Sequence, residues 1–473
     1  MRRWMYGCVV VFFALLTAAW LTHGRGIIRN DPARGIEIPA ERTVPLQVKA
    51  AFDGQRIWVR YRWPTPKRNI EVDMLRHEGG KWIREGQAKS EGDYEDRVAM
   101  MIDDGSVPEF GRYGAYVMAN VRMWSSGDDG GEEEVAAHPY LGAKKGQREV
   151  GKYLPSTRQR PGDWSTVVPE PELARLRAAG YFVDLWQWHM NRTNPIGKAD
   201  DGVIAEARYS DTGRGVLFST NWDNKAGQPR WMLDPKKSGG RRALAWSEVT
   251  SGKLADADTY LRQEDAVAFD AAQAWKDGDT IPRRVMRPSE GSAGDVTVHG
   301  TPTWANGLRD VTLTRALNTG HPDEDKAMLD KGVYTIAFGL HRTTDGSRFH
   351  YVSLPATLGL DREAQINAVN IPTGEAPKWE QPWSDVTLFF PGRIAWATLS
   401  SAKHAGSKYI DKGVPVKFRH SEKQLSHYSV EAVFADEIFR QWVSTLVSGL
   451  ALIAGFGLAL NLLLPRPGAQ HEL

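Results

Sequence analysis

With 473 residues the chain has room for two or three average domains, or for one β-sandwich carrying long insertions. A formal net charge of +2 gives no basic excess for a nucleic-acid partner, and 10% aromatic content is too high for a disordered chain. The single cysteine, Cys8, lies in an apolar N-terminal run, so the rest of the chain has no disulfide, thiolate metal site or thioether-linked group.

The two ends come first in what they predict. Trp4 to Leu21 is uncharged and follows Arg2 and Arg3. Trp20 and Leu21 stand where a cleavage site before Gly24 needs small residues, so an uncleaved signal anchor over residues 1–29 is favoured over a cleaved signal peptide. At the other end, Trp442 to Leu464 is a run of 23 residues without charge. At about 1.5 Å per residue it crosses a hydrocarbon core of roughly 30 Å, which makes 436–473 a transmembrane helix and short tail. Ala451, Gly455 and Ala459 form a small-residue stripe on it that lets another helix approach. Basic residues at both outer ends put the termini in the cytoplasm of a bacterial inner membrane and residues 30–435 in the periplasm.

Between the ends the pattern is that of strands. Val44, Leu46, Val48 and Ala50 alternate, as do Ile57, Val59, Tyr61 and Trp63, with the hairpin signal Asp53-Gly54 between. Further strand-like runs are 97–102, 181–188, 202–209, 295–299, 308–314, 332–340, 349–354, 385–390, 394–399 and 428–434. Helices are expected at Glu170–Ala179 and Tyr260–Lys276, and polar loops at 125–134, 224–242 and 276–294. Many short strands with turns between them predict a mainly β fold: one large antiparallel β-sandwich with loop and short-helix insertions, flanked by the two terminal helices.

Several segments in this order resemble one family. They are Tyr94-Glu95-Asp96-Arg97-Val98-Ala99-Met100-Met101, Val183-Asp184-Leu185-Trp186-Gln187-Trp188-His189 with Asn194-Pro195-Ile196-Gly197 and Asp200-Asp201 after it, Val311 to Leu317, and Arg348-Phe349-His350-Tyr351-Val352-Ser353. Together, over about residues 44–400, they resemble the ethylbenzene-dehydrogenase-type haem-binding domain, found as the b-haem subunit of some molybdenum dehydrogenases and in related periplasmic cytochromes. The resemblance implies methionine and lysine ligands to haem iron from two regions of the sandwich. His350 stands at or near the lysine position, and Met118 is the nearest candidate for the methionine, with Met100, Met101 and Met123 as competitors. Some relatives carry a covalent attachment motif where this chain reads Gly114-Ala115-Tyr116-Val117-Met118-Ala119-Asn120, before Ala137-His138-Pro139 and Lys152-Tyr153-Leu154-Pro155. Alanines replace the cysteines there and Asn120 the histidine, so the haem expected is haem b, held without covalent bonds.

The site expected is therefore His350 and Met118 as iron ligands, His189 as an alternative to Met118, and Trp186, Trp188 and Tyr351 as pocket residues. Trp186 and Trp188 also read as core packing, and Asp200-Asp201 as a turn with solvated acids rather than a calcium site. No hydrolase, zinc-protease, phosphate-loop or dinucleotide motif is present, so catalysis by this chain alone is not expected. The function expected is electron transfer beside a membrane or periplasmic redox partner subunit. The alternative is a haem-free ligand-binding or assembly subunit of a membrane complex.

Overall fold

The structure, a computed structural model, describes residues 2–23, 43–68, 70–85, 95–115, 132–150, 152–160, 163–214, 216–252, 254, 259–342, 351–389 and 431–463. The chain divides into two compact units, one containing both terminal helices and one spanning Ile38–Ala397 with Ile410–Pro415.

The larger unit is built on a 14-stranded sheet. Its first six strands are β1 (Thr43–Phe52), β2 (Arg56–Pro64), β3 (Arg97–Asp103), β4 (Val183–His189), β5 (Asp200–Ile204) and β6 (Arg208–Ser210). Next come β7 (Thr297–Val298), β8 (Thr303–Ala305), β9 (Leu308–Ala316) and β10 (Val333–His341). The last are β11 (Tyr351–Ser353), β12 (Ala356–Leu360), β13 (Ile366–Asn370) and β14 (Ser384–Phe389). The order is β7-β9-β2-β1-β13-β12-β10-β3-β4-β5-β6, with β8 on β9 and with β14 and β11 forming a second link between β1 and β10. Most ladders are antiparallel, and β13 runs parallel to both β1 and β12.

The sheet folds over on itself. Tyr61 on β2 meets Phe338 on β10 edge-on at 6.1 Å, and Trp63 on β2 meets Trp188 on β4 at 6.0 Å, although these strands are distant in the sheet order. Its margins also meet: Lys198 bridges Thr297, and the Val298 amide donates to Gly197 O at 2.8 Å. Alternation at period two puts Leu46, Val48, Tyr61, Val98, Met100, Trp186, Trp188, Leu313 and Ile336 on the enclosed face, where all are buried. The β1–β2 turn forms where expected. Asp53 Oδ1 accepts from the amides of Gln55 (2.9 Å) and Arg56 (2.7 Å), and Gly54 takes a φ of 83°.

Helix α4 (Glu170–Ala178) forms where expected, and three further short helices fall elsewhere: α2 is Pro108–Tyr113, α3 Glu132–Ala137, which begins within the expected loop 125–134, and α5 Trp246–Thr250. Several expectations change, and the expected loops 224–242 and 276–294 carry the short strands Trp231–Leu233, Asp279–Pro282 and Arg284–Met286. Residues 260–276 form no α-helix, only a 3-10 turn at Gln263–Asp265; Ala266–Ala268 pairs with Trp231–Leu233, and Phe269 then stacks on Trp275 at 5.2 Å. Tertiary strand pairing and ring stacking override a mixed helical pattern there. The strand reading of 428–434 also fails, because a helix begins at Glu431. The reading of 394–399 lies outside the described residues. Met74–Glu78, Lys81–Arg84, Leu244–Ala245 and Asp279–Pro282 form a smaller four-stranded sheet that the alternation did not announce.

The smaller unit pairs α1 (Arg2–His23) with the 33-residue helix α6 (Glu431–Leu463). Within α6, Trp442–Ala459 is long and apolar enough to cross a membrane, while the apolar stretch Tyr6–Ala18 of α1 is shorter. Trp442, Leu446, Gly449, Ile453 and Gly457 recur every three or four residues and are the sheltered positions of α6; Val9, Phe12 and Leu16 are those of α1. A Cβ at Gly449 would lie 2.3 Å from the Phe12 ring, so the ring occupies the glycine's space. The stripe Ala451, Gly455 and Ala459 is exposed, with nothing within 4 Å of a Cβ at Gly455. Being two residues on from Gly449, it is turned about 200° around the helix.

Candidate functional site

His350 and Met118, the two expected iron ligands, lie outside the described residues, as do Met123, Ala119 and Asn120. Described chain ends at Ala115, before Met118, and resumes at Tyr351, after His350, and these two stretches converge. Helix α2 starts where Asp103, ending β3, accepts from the Val107 amide at 3.1 Å, and it runs to Tyr113. Gly114 then takes φ 56° and ψ −141°, and a Cβ on it would sit 2.8 Å from Pro355 N. Only glycine tolerates both that backbone conformation and that closeness. Ala115 follows, buried, three residues before Met118. Pro355 stands in turn just past β11, which starts one residue after His350. The strand leading into that segment is pinned to the strand leaving it, because Leu340 pairs with Tyr351 and Arg342 Nη2 donates to Tyr351 Oη at 2.8 Å. The two regions expected to carry ligands thus adjoin at Gly114 and Pro355.

The other expected residues have different surroundings. Met100 is in the core, its Sδ accepting from Tyr61 Oη at 3.3 Å, and Met101 points to the other face of β3. Trp186 and Trp188 share the enclosed face and are wholly buried. The Trp188 indole donates to Asn194 Oδ1 at 3.1 Å, and the Trp186 ring lies under the Arg315 guanidinium at 4.8 Å. Core packing accounts for both. Tyr351 is buried at the start of β11.

His189 is on the opposite face of β4 from these tryptophans, and its ring is committed. Nδ1 lies 3.0 Å from Glu95 Oε1, and Nε2 lies 3.1 Å from Asp200 Oδ2, near enough for charge pairing but off a good hydrogen-bond line. Both ring nitrogens of this buried imidazole thus face carboxylate oxygens. Glu95 is the hub: its Oε1 also takes Arg97 Nε at 3.2 Å and Arg192 Nε at 2.8 Å, and its Oε2 accepts from the Asn191 amide at 2.9 Å. Burial works to raise its carboxyl, but the charges of His189 and Arg97 outweigh that and hold it down at about 2.

A second ion pair ties the same acidic motif to β9. Arg309 Nε meets Asp96 Oδ2 at 3.1 Å with both side chains fully buried, and Thr65 Oγ1 donates to Asp96 Oδ1 at 3.2 Å. Arg315, at the far end of β9 on the same inner face, meets Asp184 Oδ2 at 2.7 Å. Asp201 is buried beside it, which overturns the reading of Asp201 as a solvated turn acid; only Asp200 is partly open. Sequence reasoning missed Glu95, Arg309 and Arg315 as organising residues. For Arg309 and Arg315 the available signal was charge on a strand face otherwise carrying Val311, Leu313 and Leu317; Glu95, two residues from Arg97, had no such signal.

His138 is also structural. Its Nδ1 accepts from the amides of Tyr140 (3.2 Å) and Leu141 (3.0 Å), and Nε2 meets Ser165 O at 2.9 Å.

Comparison with known families matches residues 31–353, more than half of the chain, to the family described as ethylbenzene dehydrogenase. Among curated proteins none matches the chain.

Proposed function

Because the chain belongs to the ethylbenzene dehydrogenase family, we propose that it is a membrane-anchored, periplasmic electron-transfer subunit of a larger oxidoreductase, holding one non-covalent haem b and not itself a catalyst. The observation that carries this reading is the close approach of Gly114 to Pro355. It brings the chain before Met118 against the chain after His350, so that ligands from these two separate segments could serve one haem. His350 and Met118 would hold the iron, and the haem when bound would supply one-electron chemistry. The chain's own share is to fix the two segments and keep water from them. Tyr351 and Arg342 pin one segment, and Asp103 and Gly114 set the exit of the other.

The anchor is α6, whose Trp442–Ala459 stretch has the length and hydropathy of a span. Arg2, Arg3 and Arg466 support cytoplasmic termini, so reporter fusions at Gly105 and after Leu473 should score on opposite sides.

The test is spectroscopic. Purified protein should show a Soret band that shifts on reduction, and acid-acetone should extract the haem completely. His350→Ala should lose the haem or turn it high-spin with far-ultraviolet circular dichroism unchanged, and Met118→Ala should shift the spectrum less. A colourless wild type would leave the alternative, a haem-free binding or assembly subunit. A wild-type low-spin spectrum in His350→Ala would remove His350 from the ligand set.

A further inference from the structure

At the Arg315 end of the sandwich, acids outnumber bases inside the fold. Asp184 on β4, Asp201 on β5 and Asp325 after β9 each bring one carboxylate oxygen within 4.8 Å of the others. Their side chains are 0%, 0% and 2% exposed. Asp211, just past β6, is buried beside them, its amide donating to Asp201 O at 3.2 Å.

The hydrogen bonds available do not cover these groups. Arg315 Nη2 takes Asp184 Oδ2 at 2.7 Å, and Nη1 takes Asp325 Oδ1 and stands 3.6 Å from Asp201 Oδ1. The Lys326 amide adds a second bond to Asp184 Oδ2 at 3.0 Å, and Thr319 Oγ1 donates to Asp325 Oδ2 at 2.6 Å. Lys326, next to Asp325 in the chain, directs its Nζ instead to Asp104 at 2.8 Å and Gly180 O at 2.7 Å. Asp184 Oδ1, both oxygens of Asp201 and both of Asp211 are left buried with no hydrogen-bond donor.

Four buried carboxylates facing one guanidinium need more positive charge, and five donor-free oxygens need something to bind. We propose that Asp184, Asp201 and Asp325, with Asp211 beside them, bind one hard divalent cation of calcium's class on the oxygens that Arg315 leaves open. Calcium takes six to eight oxygen ligands, which this set and a few waters supply, and it tolerates irregular geometry better than magnesium. Burial raises the carboxyls of Asp184 and Asp201 despite the pull of Arg315, as expected of acids that lack their counter-charge. The cation would cross-link β4, β5 and the loop after β9, where the folded-over halves of the sheet meet. Its role would be structural.

The test uses full-length protein in detergent, stripped with a chelator, with calcium chloride as the probe. One calcium per chain should be retained on metal analysis before stripping. Calcium a hundredfold above its dissociation constant should raise Tm by about 3–6 °C, and magnesium less. Asp201→Asn should abolish the response, and Asp211→Asn, at the edge of the cluster, should weaken binding about tenfold and carries the test if Asp201→Asn does not fold. Two results would overturn the proposal: stripped protein whose Tm does not respond to millimolar calcium, or an undiminished response in Asp211→Asn and any foldable Asp201 variant. In the first case the acids are balanced by bound protons; in the second the ion sits elsewhere.

Discussion

Replacing Glu95 with glutamine removes the charge at the centre of the His189 network while keeping the side chain's shape. A carboxyl held at about 2 rather than its ordinary 4.5 corresponds to about 3 kcal/mol of stability at neutral pH. An independent route gives a similar figure, since breaking a buried ion pair from one side costs about 3–5 kcal/mol. Glu95→Gln has one acceptor oxygen for two positions, so either the Asn191 amide or the group of Arg97, Arg192 and His189 is left facing an NH2, and no negative charge remains. The sign follows from the depressed value. The contribution is present above pH 4.5 and is lost as pH falls toward 2. Urea unfolding followed by tryptophan fluorescence should show the variant about 3 kcal/mol less stable at pH 7. The gap between the two proteins should close as the wild type is taken below pH 4.5. A variant within about 0.5 kcal/mol of wild type at pH 7, or one that keeps the wild-type acid dependence, would refute the assignment of Glu95 as a paired, ionised hub.

Three further outcomes are expected. Gly114→Ala forces a Cβ to within 2.8 Å of Pro355 N at φ 56°, so it should cost about 1–3 kcal/mol and lower haem occupancy, both readable by thermal melting and the Soret-to-protein absorbance ratio. Arg309→Met strands buried Asp96 and should cost about 3–5 kcal/mol in urea titrations, whereas Arg309→Met with Asp96→Leu should recover most of that loss. Asn194→Ala removes the acceptor of the Trp188 indole, and a loss of about 1–3 kcal/mol with red-shifted or broadened tryptophan emission is expected; unchanged stability would mean that water takes over the bond.

Much of the scaffold was readable without coordinates, because strand alternation is local. The β1–β2 hairpin could be placed from Val44 to Trp63 and Asp53-Gly54, and the strands ending at Asp103, His189 and Ala316 from equally short patterns. Where pattern and structure disagree, distant chain is the cause. Residues 260–276 carry mixed helical spacing, but Val267 pairs with Met232 and Phe269 stacks on Trp275, so strand and turn prevail. The short strands Met74–Glu78 and Asp279–Pro282 are some 200 residues apart, and neither has the length to declare itself alone.

The sequence by itself determined the mainly β class, the apolar C-terminal helix, the absence of cysteine chemistry in the sandwich and the family, since each rests on residue identity or on a period of two or 3.6 along the chain. Tertiary structure decided what the polar residues do. His189 carries nothing in its own segment to say that Glu95 and Asp200 will face its two nitrogens. Gly449 was no more marked than Gly455, yet Phe12 packs on Gly449 because helix rotation turns the other stripe away. Arg315 and four aspartates became one buried cluster only when the sheet folded over and brought β4, β5 and β9 together. Periodicity assigns a side chain to a face, but its charge acquires a partner only from whatever segment the fold sets against that face.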